Sequence, residues 1–246
     1  NEMMHANLQN DGTYSIVPQM QGGLTTPEEL KALADIAVKY EVPTVKVTGG
    51  QRIDLLGIPK ENLNDMWSEI AAAGMESGYA YGKATRTCKS CVGKDHCLMG
   101  TQDSMGLSIK MEDAVWSHFM PHKFKMGVSG CPRNCAEATI KDFGVICTEK
   151  GYEIHVAGAC GIRTKACLKD RFFETEDEVI EYLKAFTQLY RIEANYLERV
   201  MHFEERVGLE YIQSKLDTPE KIKHWAAQLP QSLKNPWLTT NHRLSV

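Results

Sequence analysis

The first 87 residues of this 246-residue chain contain no cysteine, and neither do the last 79, yet eight cysteines lie between Cys88 and Cys167. A disulfide framework would staple the whole chain and belongs to small secreted domains. No charged start followed by an apolar stretch reads as a signal peptide. Cysteines crowded into one stretch read instead as metal ligands. No apolar run approaches the roughly 20 residues of a membrane-spanning helix. Lys plus Arg total 28 against 32 Asp plus Glu, a net charge of -4, which argues against a dedicated nucleic-acid binder. There is no G-x-G-x-x-G and no phosphate-loop signature, so no NAD(P)H or FAD site is expected in this chain. With 43% hydrophobic and 24% charged residues, the composition is that of a globular protein, long enough for one large domain or two small ones.

Hydrophobic periodicity and turn signals outline the fold. Thr13 to Pro18 reads as a strand ending at a Gly22-Gly23 turn. Thr26-Pro27-Glu28-Glu29 opens a helix with a capping box and proline at the first helical position. Leu30, Leu33, Ala34, Ile36 and Ala37 form its expected buried face. Thr44 to Thr48 is β-branched, Gly49-Gly50 interrupts it, and Gln51 to Leu56 resumes as a strand before a helix over 62–74. Beyond the cysteines, Gly144 to Ile146 and Tyr152 to Val156 predict a hairpin turning at Lys150-Gly151. A second capping box, Thr175 to Glu178, opens a helical stretch expected to run to about Val207, with Gly208 as its stop. Thr218-Pro219 starts a last short helix, and the tail from Asn235 to Val246 is expected to be extended or loose. This order of elements predicts an α+β chain.

The cysteines carry the chemistry. Two pairs stand out, Cys91-x5-Cys97 and Cys131-x3-Cys135, with 33 residues between Cys97 and Cys131. Structural zinc sites favour gaps of two to four residues within a pair and often recruit histidine. Four thiolates suit a [4Fe-4S] cube. The turn Ser129-Gly130-Cys131-Pro132-Arg133-Asn134-Cys135 has the Gly and Pro punctuation that turns backbone N–H groups toward sulfur. Lys123-Phe124-Lys125 places two lysines on one strand face. Lysine and arginine are in surplus around the cysteines of this otherwise acidic chain, and fixed cations stabilise a developing oxyanion.

These residues have a family likeness. Cys91 to Cys97, Gly100 to Ser104 and Ser129 to Cys135 together resemble the sirohaem and [4Fe-4S] module of nitrite and sulfite reductases, and the resemblance extends from about Gly12 to Leu216. Thr48 to Gly57 resembles the strand motif of that family's ferredoxin-like half. Tyr190 to Arg199 and Glu205 to Gly208 resemble the C-terminal helices of the assimilatory NAD(P)H nitrite reductase branch. The resemblance implies a ferredoxin-like half-domain over 1–80, joined to a mixed α/β sirohaem and iron–sulfur domain over 81–216, with a C-terminal helix and tail over 217–246.

It also implies roles. Cys91, Cys97, Cys131 and Cys135 would hold the cluster, and Cys135 would bridge to the sirohaem iron. Lys123 and Lys125 would face the substrate, with Arg86 and Arg52 as the candidate arginines. Many relatives carry arginine where this chain has Gly50, which weakens the match at Arg52. Gln51, Lys89, Arg133 and Asn134 would meet the carboxylates of sirohaem. The implied activity is reduction of nitrite to ammonia by six electrons. Sulfite reduction to sulfide is the near alternative, and a non-catalytic electron-transfer or zinc-binding module the more distant one. Electrons would come from a flavin- or NAD(P)H-linked domain or a ferredoxin-like protein. Asn1 in place of an initiator Met fits a piece of a longer protein, while a compact standalone enzyme remains open. The family's larger members hold two copies of this architecture, so a homodimer is expected, in the cytoplasm, with no membrane and no nucleic-acid partner. Cys147 and Cys160 are expected to be small buried residues, Cys88 mainly so; His96 and His122, close to the motifs, have the chemistry to shuttle protons but are expected at the surface or behind the residues that form the site.

Overall fold

The computed structural model describes residues 5–229 and divides into two compact units, one ending at Gly82 and the other beginning at Lys83. Pro230 and the tail from Asn235 lie outside the described residues. The first unit holds strands β1 (Asn7–Leu8), β2 (Tyr14–Ile16), β3 (Thr44–Val47) and β4 (Ile53–Ile58), and helices α1 (Pro27–Lys39) and α2 (Leu63–Ala72). Its strands form an antiparallel sheet in the order β1-β2-β4-β3. Thr26 caps α1 through the expected box: its side chain accepts the Glu29 N–H (3.1 Å) and its own N–H meets the Glu29 carboxylate (2.9 Å). Leu33, Ile36 and Ala37 of α1 pack with Ile16, Leu55, Ile58, Met66 and Ile70. Leu30 and Ala34, also expected inside, are exposed. The buried stripe of α1 runs through 33, 36, 37 and the half-buried Tyr40, which turns 30 and 34 to solvent. Gly49-Gly50 forms the tip of the β3–β4 hairpin, closed by the Thr48 N–H on the Arg52 carbonyl (2.8 Å).

The second unit runs through β5 (Lys89–Ser90), α3 (Gly93–His96), α4 (Ser104–Val115), β6 (Met126–Ser129), β7 (Phe143–Thr148) and β8 (Gly151–Val156). A small ribbon, β9 (Ala159–Cys160) with β10 (Thr164–Lys165), precedes β11 (Leu168–Phe173). Helices α5 (Glu176–Glu193), α6 (Val200–Val207), α7 (Leu209–Lys215) and α8 (Pro219–Ala227) follow. The sheet order is β11-β8-β7-β6-β5, with β5, β6 and β7 parallel and the β7–β8 and β8–β11 pairs antiparallel. The predicted hairpin is β7–β8, with Thr148 opposite Gly151. Leu107, Met111 and Val115 of α4 and Val179, Leu183, Phe186 and Leu189 of α5 cover one sheet face, and α8 lies along α5 with Ile222 in the same core.

The helical stretch after Thr175 does not run unbroken to Val207. It ends at Glu193, and an irregular link leads to α6. Leu197 sits in this link at φ 66° and its N–H reaches across to the Pro121 carbonyl (3.0 Å). The Asn195 N–H donates to the Glu198 carboxylate (2.7 Å), and Arg206 ties that carboxylate (2.7 Å) and the Glu193 carbonyl (3.0 Å) together. Tertiary bonds therefore replace the helical ones that continuation would have made.

The box at the start of α5 is complete, with Thr175 accepting the Glu178 N–H and the Glu178 carboxylate accepting the Thr175 N–H. Thr175→Ala is expected to lower unfolding stability by about 1 kcal/mol, read by denaturant melts, with the fold retained.

Candidate iron–sulfur and anion site

Two adjacent segments of the second unit run in parallel and carry most of the candidate residues. Thr85 bridges Phe124 in parallel. The Phe124 N–H donates to the Ala84 carbonyl (3.1 Å) and the Arg86 N–H to the Phe124 carbonyl (2.8 Å). The segments then become β5 and β6, with Lys89 opposite Gly127 and Ser90 opposite Val128. Cations thus come first along both segments and cysteines follow, just past the carboxyl ends of parallel strands, where such sheets place ligand sites.

β5 leads directly into the first cysteine loop. Ser104, at the start of α4, donates its hydroxyl to the Cys91 carbonyl (2.8 Å) and lies 3.4 Å from the Cys91 sulfur. The Gly130 N–H from the second loop donates to the same sulfur (3.1 Å), and the Gly130 carbonyl accepts from the Thr101 N–H (2.7 Å) and hydroxyl (2.9 Å). Burial pushes the Cys91 thiol upward, but the hydrogen bonds from Ser104, Gly130 and Gly93 overcome it and hold the thiol below its usual value. Gly130 is where the loops touch: a Cβ there would lie 2.9 Å from Gly93 Cα, 3.0 Å from the Ser104 hydroxyl and 3.3 Å from the Cys91 sulfur.

The second loop is braced from within. The fully buried Ser129 donates its hydroxyl to the Asn134 side-chain oxygen (3.1 Å) and accepts the Ala136 N–H (3.1 Å). Asn134, in the left-handed region at φ 57°, also accepts the Ala138 N–H (2.7 Å) and donates to the Thr139 hydroxyl (2.7 Å). Its amide therefore works inside the loop. Cys131 is buried, Cys91 and Cys97 are half-buried and Cys135 is exposed. Among the described residues no group of three or more His, Cys, Asp or Glu side chains is placed to hold a single metal ion. An all-thiolate set spread over two loops, with N–H groups already turned to sulfur, fits a cube, which holds its ligands further apart than one zinc does.

The remaining cysteines are not part of these loops. Cys88 is fully buried in the core, where burial and then Glu112 push its thiol well above the usual value. Burial pushes Cys147 and Cys167 up to about 12, and Cys167 donates to the Lys141 carbonyl (3.1 Å). Cys160, expected to be buried, is exposed because it lies on the small β9–β10 ribbon outside the main sheet.

The cations gather beside Phe124. Its ring is in the core, so strand alternation turns Lys123 and Lys125 the other way. Arg86 is buried and donates to the Ala84 carbonyl (3.0 Å). Burial, and then the charges of Lys123 and Arg199, hold the Lys125 ammonium below its usual value. Burial first, then Arg199, Lys123, Arg86 and Lys83, push His122 down to about 4. Behind them, the fully buried Asp142 receives Arg199 on both carboxylate oxygens (2.8 and 2.9 Å) and the Lys125 N–H (2.8 Å). Lys89 pairs with Glu137 (3.0 Å), which also meets Lys141 (3.1 Å), while Arg133 and His96 are exposed. Gln51 and Arg52 belong to the first unit, at the β3–β4 turn. A Cβ on Gly50 would lie 2.9 Å from the Arg52 guanidinium, so the glycine leaves that side chain its place.

Residues 81–224 match the family described as nitrite and sulphite reductase 4Fe-4S domain, and residues 7–73 match the nitrite/sulfite reductase ferredoxin-like half domain. The chain belongs to the nitrite and sulphite reductase family. It is 50% identical over 240 residues to the Bacillus subtilis protein named nitrite reductase (NAD(P)H), covering 96% of this chain and 29% of that one. It is 36% identical over 210 residues to the assimilatory-type sulfite reductase of Nitratidesulfovibrio vulgaris, covering 84% of this chain and 94% of that one. The Mycobacterium tuberculosis NirA structure shares the fold, with a TM-score of 0.74 at 18% identity over 85% of this chain and 40% of that one. This member of the family spans under a third of the length of its Bacillus relative.

Sequence reasoning did not single out Asp142, Arg199, Lys83 or the Glu137 bridge as part of the site. Arg199 lies within the C-terminal stretch that carries the family likeness, and that was its signal. Asp142, read alone, is one carboxylate among 32 acidic residues.

Gly130→Ala is expected to lower the iron and acid-labile sulfide retained per chain at least several-fold, because its Cβ presses on the backbone of Gly93 and on the Cys91 sulfur. Gly161→Ala, in open space, is the control and is expected to retain both in full.

Proposed function

We propose that this chain is the catalytic module of a nitrite reductase that takes nitrite to ammonia with six electrons, using sirohaem and a [4Fe-4S] cluster. The observation that carries this reading is the 50% identity, across nearly the whole chain, to a protein named nitrite reductase. Cys91, Cys97, Cys131 and Cys135 would hold the cluster, and Cys135, the exposed one of the four, would be shared with the haem. Sirohaem, once bound, would supply the redox-active iron at which the anion is reduced.

The rest falls to the chain's own side chains. Lys123, Lys125 and Arg86 bind the anion and stabilise oxyanion charge as N–O bonds break. Desolvated Lys125, already below its usual value, gives up a proton more readily than a lysine in water. Lys89 and Arg133 meet the macrocycle's carboxylates, and Asn134 serves that site through the shape of its loop. Electrons arrive from a flavin- or NAD(P)H-linked partner domain, since the nitrite reductases in question are more than three times longer, or from a ferredoxin-like protein. The module works in the cytoplasm, and a homodimer supplies the second copy of the architecture.

Sulfite is the second reading. The Nitratidesulfovibrio sulfite reductase is matched over 94% of its own length, so a chain of this size suits that reaction too. Turnover of nitrite and sulfite by the cofactor-loaded chain, with a reduced viologen as donor, decides between them. Nitrite is expected to give the higher kcat/KM, and a clear preference for sulfite would overturn the proposal. Lys125→Met is expected to lower kcat by about 10²- to 10³-fold, the usual loss for one preorganised charge-stabilising group.

A further inference from the structure

His122 stands in the middle of the cation cluster, and its bonding is unusually well defined. Its Nδ1 accepts the Lys123 N–H at 2.7 Å. A nitrogen that accepts a hydrogen bond carries no proton, so the neutral ring must carry its hydrogen on Nε2. Protonating Nδ1 would set two donors face to face and break that bond. The backbone of His122 is anchored as well: Tyr190, fully buried on α5, bonds the His122 backbone and donates its hydroxyl to the Glu198 carbonyl.

The charges facing the ring come from every side. Lys83 and Arg86 lie on the segment before β5, Lys123 on its own segment, and Arg199 at the start of α6. The carboxylate among them, Asp142 at the start of β7, is engaged by Arg199 and the Lys125 N–H. The Nε2–H has no acceptor among the described residues, and the ring sits next to Lys123, on the segment paired with that of Arg86. We infer that His122 is a neutral hydrogen-bond donor to the bound anion, through Nε2–H, and does not carry protons to it. This rests on the reading of the cluster as the nitrite or sulfite site. The burial and surrounding charges that push His122 down to about 4 act in the same direction as the Nδ1 bond.

Two measurements test this. Ring nitrogen shifts of the 15N-labelled chain are expected to show the neutral Nε2–H form of His122 at pH 6. Imidazolium at that pH, or the Nδ1–H tautomer, would overturn the inference. Nitrite affinity of the cofactor-loaded chain, read from its visible spectrum, is expected to fall about 10- to 100-fold in His122→Ala, the cost of a hydrogen bond to a charged group. His122→Gln, which keeps a neutral donor, is expected to stay within a few-fold of the parent and to take up the same number of protons on binding nitrite. Unchanged affinity in His122→Ala, or proton uptake lost in His122→Gln, would contradict the donor role while leaving the functional reading intact. A parent chain that binds neither nitrite nor sulfite would bring down both.

Discussion

The fully buried carboxylate of Asp142 is the point on which the cation cluster of the second unit rests. A lone charge in that position would be costly, and removing one partner of such a pair leaves an uncompensated charge. Arg199 and the Lys125 N–H offset the cost, and in doing so they fix the backbone of one candidate lysine and the guanidinium behind it. Arg199 reaches Asp142 because the chain leaves the helix after Glu193 and re-enters it at Val200. The break is thus part of the site's construction. Like charges gathered beside Phe124 would splay apart without such an anchor, and preorganised cations are worth more than ones that must be assembled on binding.

The thiol end depends on close backbone contact. Gly127 lies opposite Gly144 in the β6–β7 register. A Cβ on Gly144 would fall 2.1 Å from the Ala138 carbonyl, so the absence of side chains there lets the stretch after Cys135 lie directly on the sheet. Asn134 and Ser129 then close the second loop with hydrogen bonds of their own. Rigid strands deliver both cysteine loops, and the loops touch through Gly130. One pair of strands thereby carries thiols past its ends and cations near its beginnings.

Much of this was legible from local sequence. Both capping boxes, the β7–β8 hairpin and the α+β class follow from spacing and turn chemistry acting over a few residues. Leu30 and Ala34 were misplaced because apolar periodicity alone leaves a helix face uncertain by about one position. The break at Glu193 was illegible for a different reason: the bonds that reward leaving the helix include those to the distant Pro121 carbonyl and Asp142, which no local pattern announces. The same holds for the site. Cysteine spacing marked the two loops, whereas the partnership of Asp142 with Arg199, 57 residues apart, is a tertiary fact with no local signature. Cys160 shows the converse, a small apolar-looking residue left in solvent by a ribbon that the local pattern did not announce.

On the reading proposed above, the two cysteine loops and the cation cluster form a sirohaem and iron–sulfur centre. Its most direct test is the absorption spectrum of the anaerobically purified chain, with iron, zinc and acid-labile sulfide quantified on the same sample. Sirohaem bands together with about four non-haem irons and matching sulfide per chain are expected. Zinc without iron, sulfide or a tetrapyrrole chromophore would contradict that reading.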